Sequence, residues 1–244
     1  ANNLANVNTP GFKSSRANFE DLLYVEKSQP GVLSATGEER PIGLYVGLGT
    51  RISGTQLNFR EGSPQDTGRA LDLNIKGEGF FQVRVQDAIG EGFAYTRAGN
   101  FTLNSDGNLV LASDTGRVLQ PEVQIPPNAT EITIDSTGVV QVRVPGNQAP
   151  INVGQLQIAT FPNPGGLQPI GENLYVDTVA SGNAVLGNPG AENRGQLQQG
   201  LLEGSNVDPT FELIELIRTQ RAFEMNSNTI RTADSALQTV TNIK

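Results

Sequence analysis

Apolar and polar residues alternate in the middle of the chain. Every second residue from Leu71 to Ile75 is apolar, and the same period runs from Phe81 to Val85 after a glycine-rich turn. A period of two places alternate side chains on opposite faces of an extended strand. The pattern therefore predicts two strands, each with one face buried and the other in contact with water.

Two later segments, 101–109 and 132–140, share a second pattern in which alternating residues flank an Asn/Asp-Ser-x-Gly turn. Gly107 and Gly138 supply the positive φ that tight hairpins require. Together these features predict an antiparallel β domain over residues 65–180. Further strands are predicted at 142–144, 155–161 and 173–177.

The end of the chain changes from period two to a helical spacing. Asp208 is a helix N-cap with Pro209 at the first helical position, and residues 209–244 contain no further Pro and no Gly. A helix of that length spans about 54 Å. Residues 181–208 read as a linker, which favours a helix free of the β domain over one lying on it. A spacing of three and four residues gives the helix a seam, formed by Leu216, Thr219, Phe223, Asn226, Ile230, Ala233, Leu237 and Val240.

The start of the chain, residues 1–26, is also predicted to be helical. Residues 1–8 form one short helix that stops at Pro10-Gly11, and residues 12–24 form a second. Helices shorter than about 12 residues do not persist alone, so we expect them to pack with the C-terminal helix. Residues 27–64 lack sustained periodicity and read as an extended connecting segment.

Composition removes most catalytic chemistry. The chain of 244 residues has no Cys, no His and no Trp, which excludes Cys-His and Ser-His-Asp catalysis and thiol or imidazole metal sites. Its net charge of −8 argues against nucleic-acid and anionic-membrane surfaces. We expect no enzyme activity, no cofactor, no metal and no small-molecule substrate. No apolar run is long enough to cross a membrane.

Two signals for ligand binding are weak. The pairs Gly47-x-Gly49 and Gly77-x-Gly79 lack the following helix and Lys-Ser/Thr of a phosphate loop, so they are interpreted as turns. Residues 104–108 resemble part of a calcium loop, but no Glu stands at the required distance. We interpret that segment as the hairpin turn already described.

Four stretches of the chain resemble one family. Residues 1–13 (ANNLANVNTPGFK) are similar to the signature of the bacterial flagellar rod and hook axial proteins, and residues 200–244 resemble the C-terminal helix of that family. The central stretches IKGEGFFQV, residues 75–83, and YTRAGNF, residues 95–101, match its β region. The resemblance covers nearly the whole chain.

The resemblance implies a mainly β fold with α-helical termini, in which an antiparallel β domain is inserted between N- and C-terminal helices that pair in an assembly core. The family members place these helices in an inner tube and the β domain outside. The chain begins without the usual upstream helical residues, so we expect an upstream piece to be missing. The residues expected to mediate self-assembly are Leu4, Asn6, Asn8, Pro10, Gly11, Phe12, Leu216, Phe223, Asn226, Ile230, Leu237 and Val240.

In its length and in one inserted stretch, the chain resembles the family members that build the straight distal part of the rod. The stretch 29–49 is similar to the insertion that separates those members from the hook, and it implies packing against neighbours that stiffens a torque-transmitting shaft. Its expected rigidity residues are Gln29, Pro30, Gly31, Pro41 and Gly43.

The resemblance also implies partners and a location. These are identical copies in a helical tube, proximal rod proteins, the hook protein and the surrounding P- and L-ring proteins. The location is the basal body in the periplasm, reached through the flagellar type III secretion apparatus.

Other functions stay open at this point. The chain resembles hook and proximal-rod axial proteins of the same family less closely. A discrete β adhesin, or a periplasmic glycosidase with two carboxylates, would stay small and would not polymerise. The absence of Trp and the low aromatic content of 6% argue against a sugar site.

Overall fold

The chain forms two compact units, one made of residues 1–14 and 59–244 and the other of residues 15–58. They are described separately. The computed structural model describes residues 1–33, 38–39, 41–86, 90–146 and 149–241, with residue 240 described by its backbone alone.

The smaller unit is an antiparallel ribbon of four strands. They are β1 (Ser15–Asp21), β2 (Tyr24–Ser28), β3 (Leu44–Gly47) and β4 (Thr50–Leu57). Strand β1 pairs with β4 and β2 pairs with β3, with Phe19 opposite Ile52 and Val25 opposite Val46. Its apolar side chains are largely exposed within the single chain, and Leu23 is 84% exposed.

The ribbon corrects two predictions. Residues 15–21 and 24–28 form strands where a helix over 12–24 was predicted, and the segment 27–64, read as an irregular connection, contains β3 and the whole of β4. Residues of β1 pair with residues of β4 that lie 29 (Asp21 with Thr50) to 42 (Ser15 with Leu57) positions further along the chain, so this pairing leaves no local sequence pattern. Tertiary pairing therefore overrides the helical spacing of Phe19, Leu22 and Leu23.

The larger unit is built mainly of short antiparallel strands, with a single turn of 3₁₀ helix at Pro164–Gly166 and a tight turn at Gly90–Gly92, where Glu91 has φ +52°. In chain order the strands are β5 (Pro64–Asp66), β6 (Leu73–Lys76), β7 (Phe81–Arg84), β8 (Phe93–Thr96), β9 (Phe101–Leu103), β10 (Leu109–Leu111), β11 (Leu119–Gln120), β12 (Glu131–Ile134), β13 (Val139–Arg143), β14 (Ile151–Gln155), β15 (Ile158–Thr160), β16 (Gln168–Gly171), β17 (Leu174–Val176), β18 (Val185–Gly187), β19 (Gln196–Gln199) and β20 (Leu201–Glu203).

A five-stranded sheet in the order β11-β7-β8-β17-β16 forms the centre of this unit, beside a three-stranded sheet in the order β12-β13-β14. Strand β6 pairs with β19, β5 with β20, β9 with β10 and β15 with β18. The antiparallel β domain between helical termini is thus confirmed. Its core includes Leu73, Ile75, Phe81, Val83, Phe101, Leu109, Val140, Val142 and Ile158.

The alternating segments are strands as predicted, but part of their polar face is also covered. Asp72 and Asn74 are buried, because β19 and the turn that follows it lie against them. The Asn74 side chain donates to Gln198 Oε1 (3.2 Å), and Thr67 Oγ1 donates to Asp72 Oδ2 (2.7 Å). Buried polar groups are stable when they are hydrogen-bonded in this way.

Both predicted hairpins are present. Strands β9 and β10 flank Gly107 (φ +82°), and β12 and β13 flank Gly138 (φ +84°). Asn104 Oδ1 accepts the N–H groups of Asp106 (3.0 Å) and Asn108 (2.8 Å). The amide therefore closes the turn that resembled a calcium loop. Within the described part of the chain, no group of three or more Asp and Glu side chains is arranged to hold a metal ion.

The predicted linker is largely structured. Residues 181–208 contain β18, β19 and β20, and Leu197 and Leu202 are buried in the larger unit. Glutamine and glycine gave this stretch a linker composition, but backbone N–H and C=O groups pair with β6 and β5 whatever the side chains are. The linker interpretation was therefore wrong for residues 185–203.

The helical termini differ in length. Helix α1 (Asn2–Ala5) is a single turn, whereas α2 (Pro209–Thr241) has 33 residues and spans about 50 Å. Asp208 Oδ1 accepts the N–H groups of Thr210 (2.8 Å) and Phe211 (3.2 Å), which confirms the predicted N-cap. The last three predicted helical residues lie outside the described residues. No helix in the described ranges is both long and apolar enough to span a membrane.

Candidate functional site

The N-terminal segment contacts the beginning of α2 and the residues just before it. Asn3 Nδ2 donates to Glu212 Oε1 (2.7 Å), so the turn α1 is tied to the first turn of α2. The Gly11 N–H donates to the carbonyl of Glu203 (2.8 Å), and the Ser14 N–H donates to Asn206 Oδ1 (2.7 Å). We call residues 10–14, 60–62 and 203–206 the terminal junction.

An ion pair lies inside the terminal junction. Lys13 Nζ lies 2.5 Å from Glu203 Oε1 and also donates to the carbonyl of Arg60 (2.7 Å). The same carboxylate oxygen accepts the Gly62 N–H (2.9 Å). Lys13 and Glu203 are each only 1% exposed. A buried charge is tolerated only with a partner and hydrogen bonds, and each of these two has both.

A third buried charge, Arg97, joins this pair to the sheet. Its Nη1 donates to the carbonyl of Ile75 (3.0 Å) and its Nη2 to that of Gly77 (2.6 Å), at the end of β6. Nη1 also lies 3.6 Å from Glu203 Oε2. Arg97 therefore connects Glu203, just before α2, to the core strands.

Burial opposes the charged forms of both cations. Burial lowers the pKa of Lys13 below its usual value, against the opposing attraction of Glu203. The pKa of Arg97 is lowered for the same reason, and Glu203, Glu61 and Glu78 oppose that shift. The carboxylate of Glu203 is thus the common counter-ion that opposes the effect of burial on both cations.

The backbone at the terminal junction packs closely. Gly11 has φ +69°, and a Cβ at this position would lie 2.5 Å from the Ala98 nitrogen. The carbonyl of the preceding residue, Pro10, accepts Asn173 Nδ2 (3.1 Å). Only glycine combines this conformation with this approach, so the N-terminal segment lies directly on the loop that carries Arg97.

Asn206 holds three segments together through its amide. Oδ1 accepts the Ser14 N–H, and Nδ2 donates to the carbonyl of Arg60 (3.0 Å), which Lys13 also contacts. Gly204 donates its N–H to the carbonyl of Ser63 (3.0 Å). The segment from Glu203 to Asp208, which leads into α2, is therefore held by hydrogen bonds at several successive residues.

Beyond its first turn, α2 presents apolar side chains to solvent. Phe223 is 74% exposed and Ile230 is 69% exposed. The other members of the predicted seam from residue 216 to residue 237 are exposed as well, and the side chain of Val240 lies outside the described residues. Rows of exposed apolar groups are typical of interaction surfaces, including those that bind another protein.

Comparison with known proteins decides the family. Residues 74–142 match the model of the flagellar hook protein FlgE/F/G D1 domain, and residues 198–243 match that of the flagellar basal body rod FlgEFG protein C-terminal region. The chain is 44% identical over its whole length to the flagellar basal-body rod protein FlgG of Caulobacter vibrioides, covering 92% of that protein. The chain belongs to the flagellar basal-body rod protein family.

Other relatives agree. The FlgG proteins of Buchnera aphidicola from Schizaphis graminum and of Borreliella burgdorferi are 44% and 41% identical, over 98% and 100% of this chain and 90% and 91% of those proteins. The FlgF protein of Caulobacter vibrioides is 32% identical, over 98% of this chain and 89% of its own length. The predicted identity, a flagellar rod subunit, is confirmed.

The family regions meet at the terminal junction. Arg97 lies in the part that matches the FlgE/F/G D1 domain, and Glu203, Asn206 and α2 lie in the part that matches the FlgEFG C-terminal region. Lys13 belongs to the N-terminal stretch on which the resemblance was first based. In this flagellar rod protein, three separate stretches of resemblance therefore supply one buried charge cluster.

The N-terminal residues expected to mediate self-assembly fall into two groups. Pro10, Gly11 and Phe12 lie in the terminal junction, whereas Leu4, Asn6 and Asn8 lie in or beside α1. Asn6 Nδ2 donates to the carbonyl of Asn2 (3.0 Å), and Asn6 Oδ1 accepts Thr9 Oγ1 (3.1 Å). The Asn6 side chain thus closes its own turn, while Asn3 makes the contact to α2.

The expected rigidity residues lie at the tip of the ribbon, between β2 and β3. Gln29 Nε2 donates to Glu26 Oε2 (3.3 Å), Gly31 has φ +77°, and Pro30, Pro41 and Gly43 complete the set. Residues 34–37 and 40 of the same stretch lie outside the described residues. The role of these residues in rigidity stays a prediction.

Sequence reasoning missed Arg97, Glu203 and Asn206 and gave Lys13 no role. All four lie inside the quoted stretches of resemblance, where none was given a role of its own. One local signal was available, because Glu203 stands between the apolar pair Leu201-Leu202 and Gly204, in a strand pattern that buries its neighbours. The partner of that carboxylate lies 190 residues away and left no local signal.

Proposed function

We propose that this chain is a structural, non-catalytic subunit that polymerises through its terminal helices into the straight distal rod of the flagellum. Identical copies would form a tube and transmit motor torque to the hook. The observation that carries the proposal is the row of exposed apolar side chains along α2, a helix whose contacts with its own chain are concentrated at its root. Such a helix lacks the burial that stabilises an ordinary long helix.

The energetics favour burial between chains. Burying one Phe, Leu or Ile side chain contributes about 1.5–3 kcal/mol, and the seam carries several of them on one helix. A contact between unlike surfaces of identical copies propagates into a filament when its rotation does not close a ring. Repeated helix packing of this kind supports a long and stiff tube.

The ribbon provides a second surface for neighbours. Tyr24, Leu44 and Tyr45 are exposed on strands whose outer edges have no further partner strand within the described residues. We expect this ribbon, with the rigidity residues at its tip, to pack against adjacent subunits and stiffen the shaft. Exposed apolar strands that remained uncovered would invite aggregation.

The names of the relatives support the partners and the location. They are flagellar basal-body rod proteins, and the matching family models also include the hook protein FlgE. We therefore propose contacts with other rod proteins and with the hook protein. Contacts with the P- and L-ring proteins, and export into the periplasm by the flagellar type III apparatus, are proposed from the family resemblance alone. The absence of His and Cys from the chain supports a purely structural role.

Electron microscopy together with sedimentation tests this function. The full gene product that carries this chain is compared, as its concentration rises, with a copy that ends after Glu212 and so keeps the terminal junction. Straight tubes from the first and monomers from the second are expected. Discrete compact particles from both proteins would overturn the proposal and favour an adhesin or an enzyme.

A further inference from the structure

Three charged side chains from distant parts of the chain meet in the interior. Lys13 comes from the N-terminal segment, Arg97 follows β8, and Glu203 ends β20, six residues before α2 begins at Pro209. Arg97, like the other two, is almost inaccessible, with 4% of its surface exposed. We call these three residues the charge cluster.

The contacts of the charge cluster are asymmetric. Glu203 Oε1 accepts both Lys13 Nζ and the Gly62 N–H, whereas Oε2 accepts no hydrogen bond from the described residues and lies 3.6 Å from Arg97 Nη1. Arg97 is held by the carbonyls of Ile75 and Gly77. The carboxylate is therefore hydrogen-bonded to the N-terminal side and attracted electrostatically to the sheet.

Stability alone does not explain such a cluster. Removing charges from water is costly, and well-packed apolar residues of similar volume are often equally or more stabilising. What hydrogen-bonded charges add is geometry, since an apolar cluster tolerates several arrangements while directed bonds tolerate one. The cluster lies next to the first turn of a long exposed helix, where a small change in the angle of the helix axis has the largest effect on the position of its far end.

We propose that Lys13, Arg97 and Glu203 are positioning residues that set the direction in which α2 leaves the β domain. A change of angle at the root displaces the far end of a helix of about 50 Å by many ångströms. The segment between Glu203 and Asp208 is rigid enough to fix the start of α2 relative to Glu203, because Gly204 and Asn206 are hydrogen-bonded and Val207 is buried. The benefit to assembly, an aligned set of helices in successive copies, rests on the proposed function.

Distance measurements between two spin labels test the proposal. The chain has no Cys, so cysteines that carry the labels can be introduced at Thr115 in the β domain and at Gln220 on α2, both exposed and the second outside the seam. The test variant is Lys13→Met/Glu203→Leu, which leaves the hydrogen bonds of Arg97 to the sheet. The matched control is Glu131→Leu/Arg143→Met, which removes an exposed ion pair of 2.8 Å elsewhere on the domain.

The test variant is expected to retain a cooperative melt of the β domain while its label-to-label distance distribution becomes about twofold broader than that of the parent. The control is expected to match the parent in both respects. A distribution as narrow as the parent's would overturn the proposal. If the test variant does not fold, Glu203→Gln decides: a broad distribution supports positioning, whereas a narrow one or a loss of folding overturns it.

Assembly is measured separately in the same variants. Straight tubes from the parent, with bent or short ones from the test variant, would support the benefit to assembly. Normal tubes despite a broad distribution would overturn that part of the inference. If the parent itself forms no tubes, the proposed function fails, and the distance distributions still decide whether the charge cluster positions α2.

Discussion

The β domain and α2 use the same kinds of side chain in opposite environments. Phe81 and Phe101 are packed edge to face in the core, with ring centroids 5.1 Å apart. Phe223 and Ile230 on α2 are mostly exposed in the single chain. The first pair stabilises the fold of one molecule, whereas the second pair contributes little burial to that fold and is free to pack against another molecule, as the proposed function requires.

This difference separates folding from assembly. The β domain forms its own core, so it can fold before any neighbour is present. Under the proposed function, helix α2 gains most of its burial only between chains, so its packing should depend on subunit concentration. Substitutions in the two regions should therefore affect different measurements.

The largest expected effect is on assembly. Phe223→Asp, or Ile230→Asp, is expected to abolish tube formation, because an unpaired charge in a packed seam costs about 3–5 kcal/mol at every repeat. The thermal unfolding of the β domain should not change, since both side chains are exposed in the single chain. Sedimentation and electron microscopy measure the first, and circular dichroism measures the second.

Gln220→Asp is the matched control for this pair, since Gln220 is exposed on α2 outside the seam. It is expected to form tubes as the parent does. Tubes from Phe223→Asp at the parent's concentration would show that the seam has been assigned to the wrong residues.

The second effect is on folding. Phe81→Ala is expected to lower the free energy of unfolding by about 3–5 kcal/mol, because it leaves a cavity in the core. Phe223→Ala should change the same quantity by less than about 0.5 kcal/mol in the monomer. Denaturant titration of both variants compares them directly. Equal losses would remove the distinction between core and assembly surface.

A smaller effect is expected at the helix cap. Asp208→Ala should destabilise the start of α2 by about 1 kcal/mol, because the N–H groups of Thr210 and Phe211 lose their acceptor. Ellipticity at 222 nm should fall slightly while the unfolding midpoint of the β domain stays unchanged. A lowered midpoint would mean that α2 contributes to the stability of the domain.

The smallest effect appears at alkaline pH. Burial raises the pKa of Tyr95 and that of Tyr175 to about 12. Above pH 10 the unfolded chain loses these protons while the folded chain keeps them, so stability falls as pH rises through this window. At pH 10.5 the loss per tyrosine is below about 1 kcal/mol.

Denaturant midpoints between pH 9 and pH 11 measure this loss. Tyr175→Phe should flatten the dependence on pH. A slope unaffected by Tyr175→Phe would contradict the role given to its burial.

The features predicted from sequence are those with local causes. The turns at Gly107 and Gly138 and the cap at Asp208 each depend on a few neighbouring residues, and all three are present. The features missed depend on distant partners. Strand β1 pairs with β4 across the ribbon, and Lys13 is neutralised by Glu203 from the other end of the chain.

The polar segments show a second reason why parts of the fold could not be predicted from the sequence. Asp72 and Asn74 read as a solvated face, yet β19 covers them, and the glutamine-rich β19 itself read as a linker. The two segments pair with each other, as β6 and β19, and each was interpreted wrongly because its pairing with the other is not visible in its own sequence. Backbone pairing between them uses no apolar pattern, so a window along the chain does not detect it.

Hydrogen exchange in the monomer and in the assembled tube tests the separation of folding from assembly most directly. Amide groups of the β-domain core should exchange slowly in both states. Amides of α2 should exchange rapidly in the monomer and become strongly protected in the tube. Strong protection of α2 in the monomer, equal to that of the β core, would contradict the account.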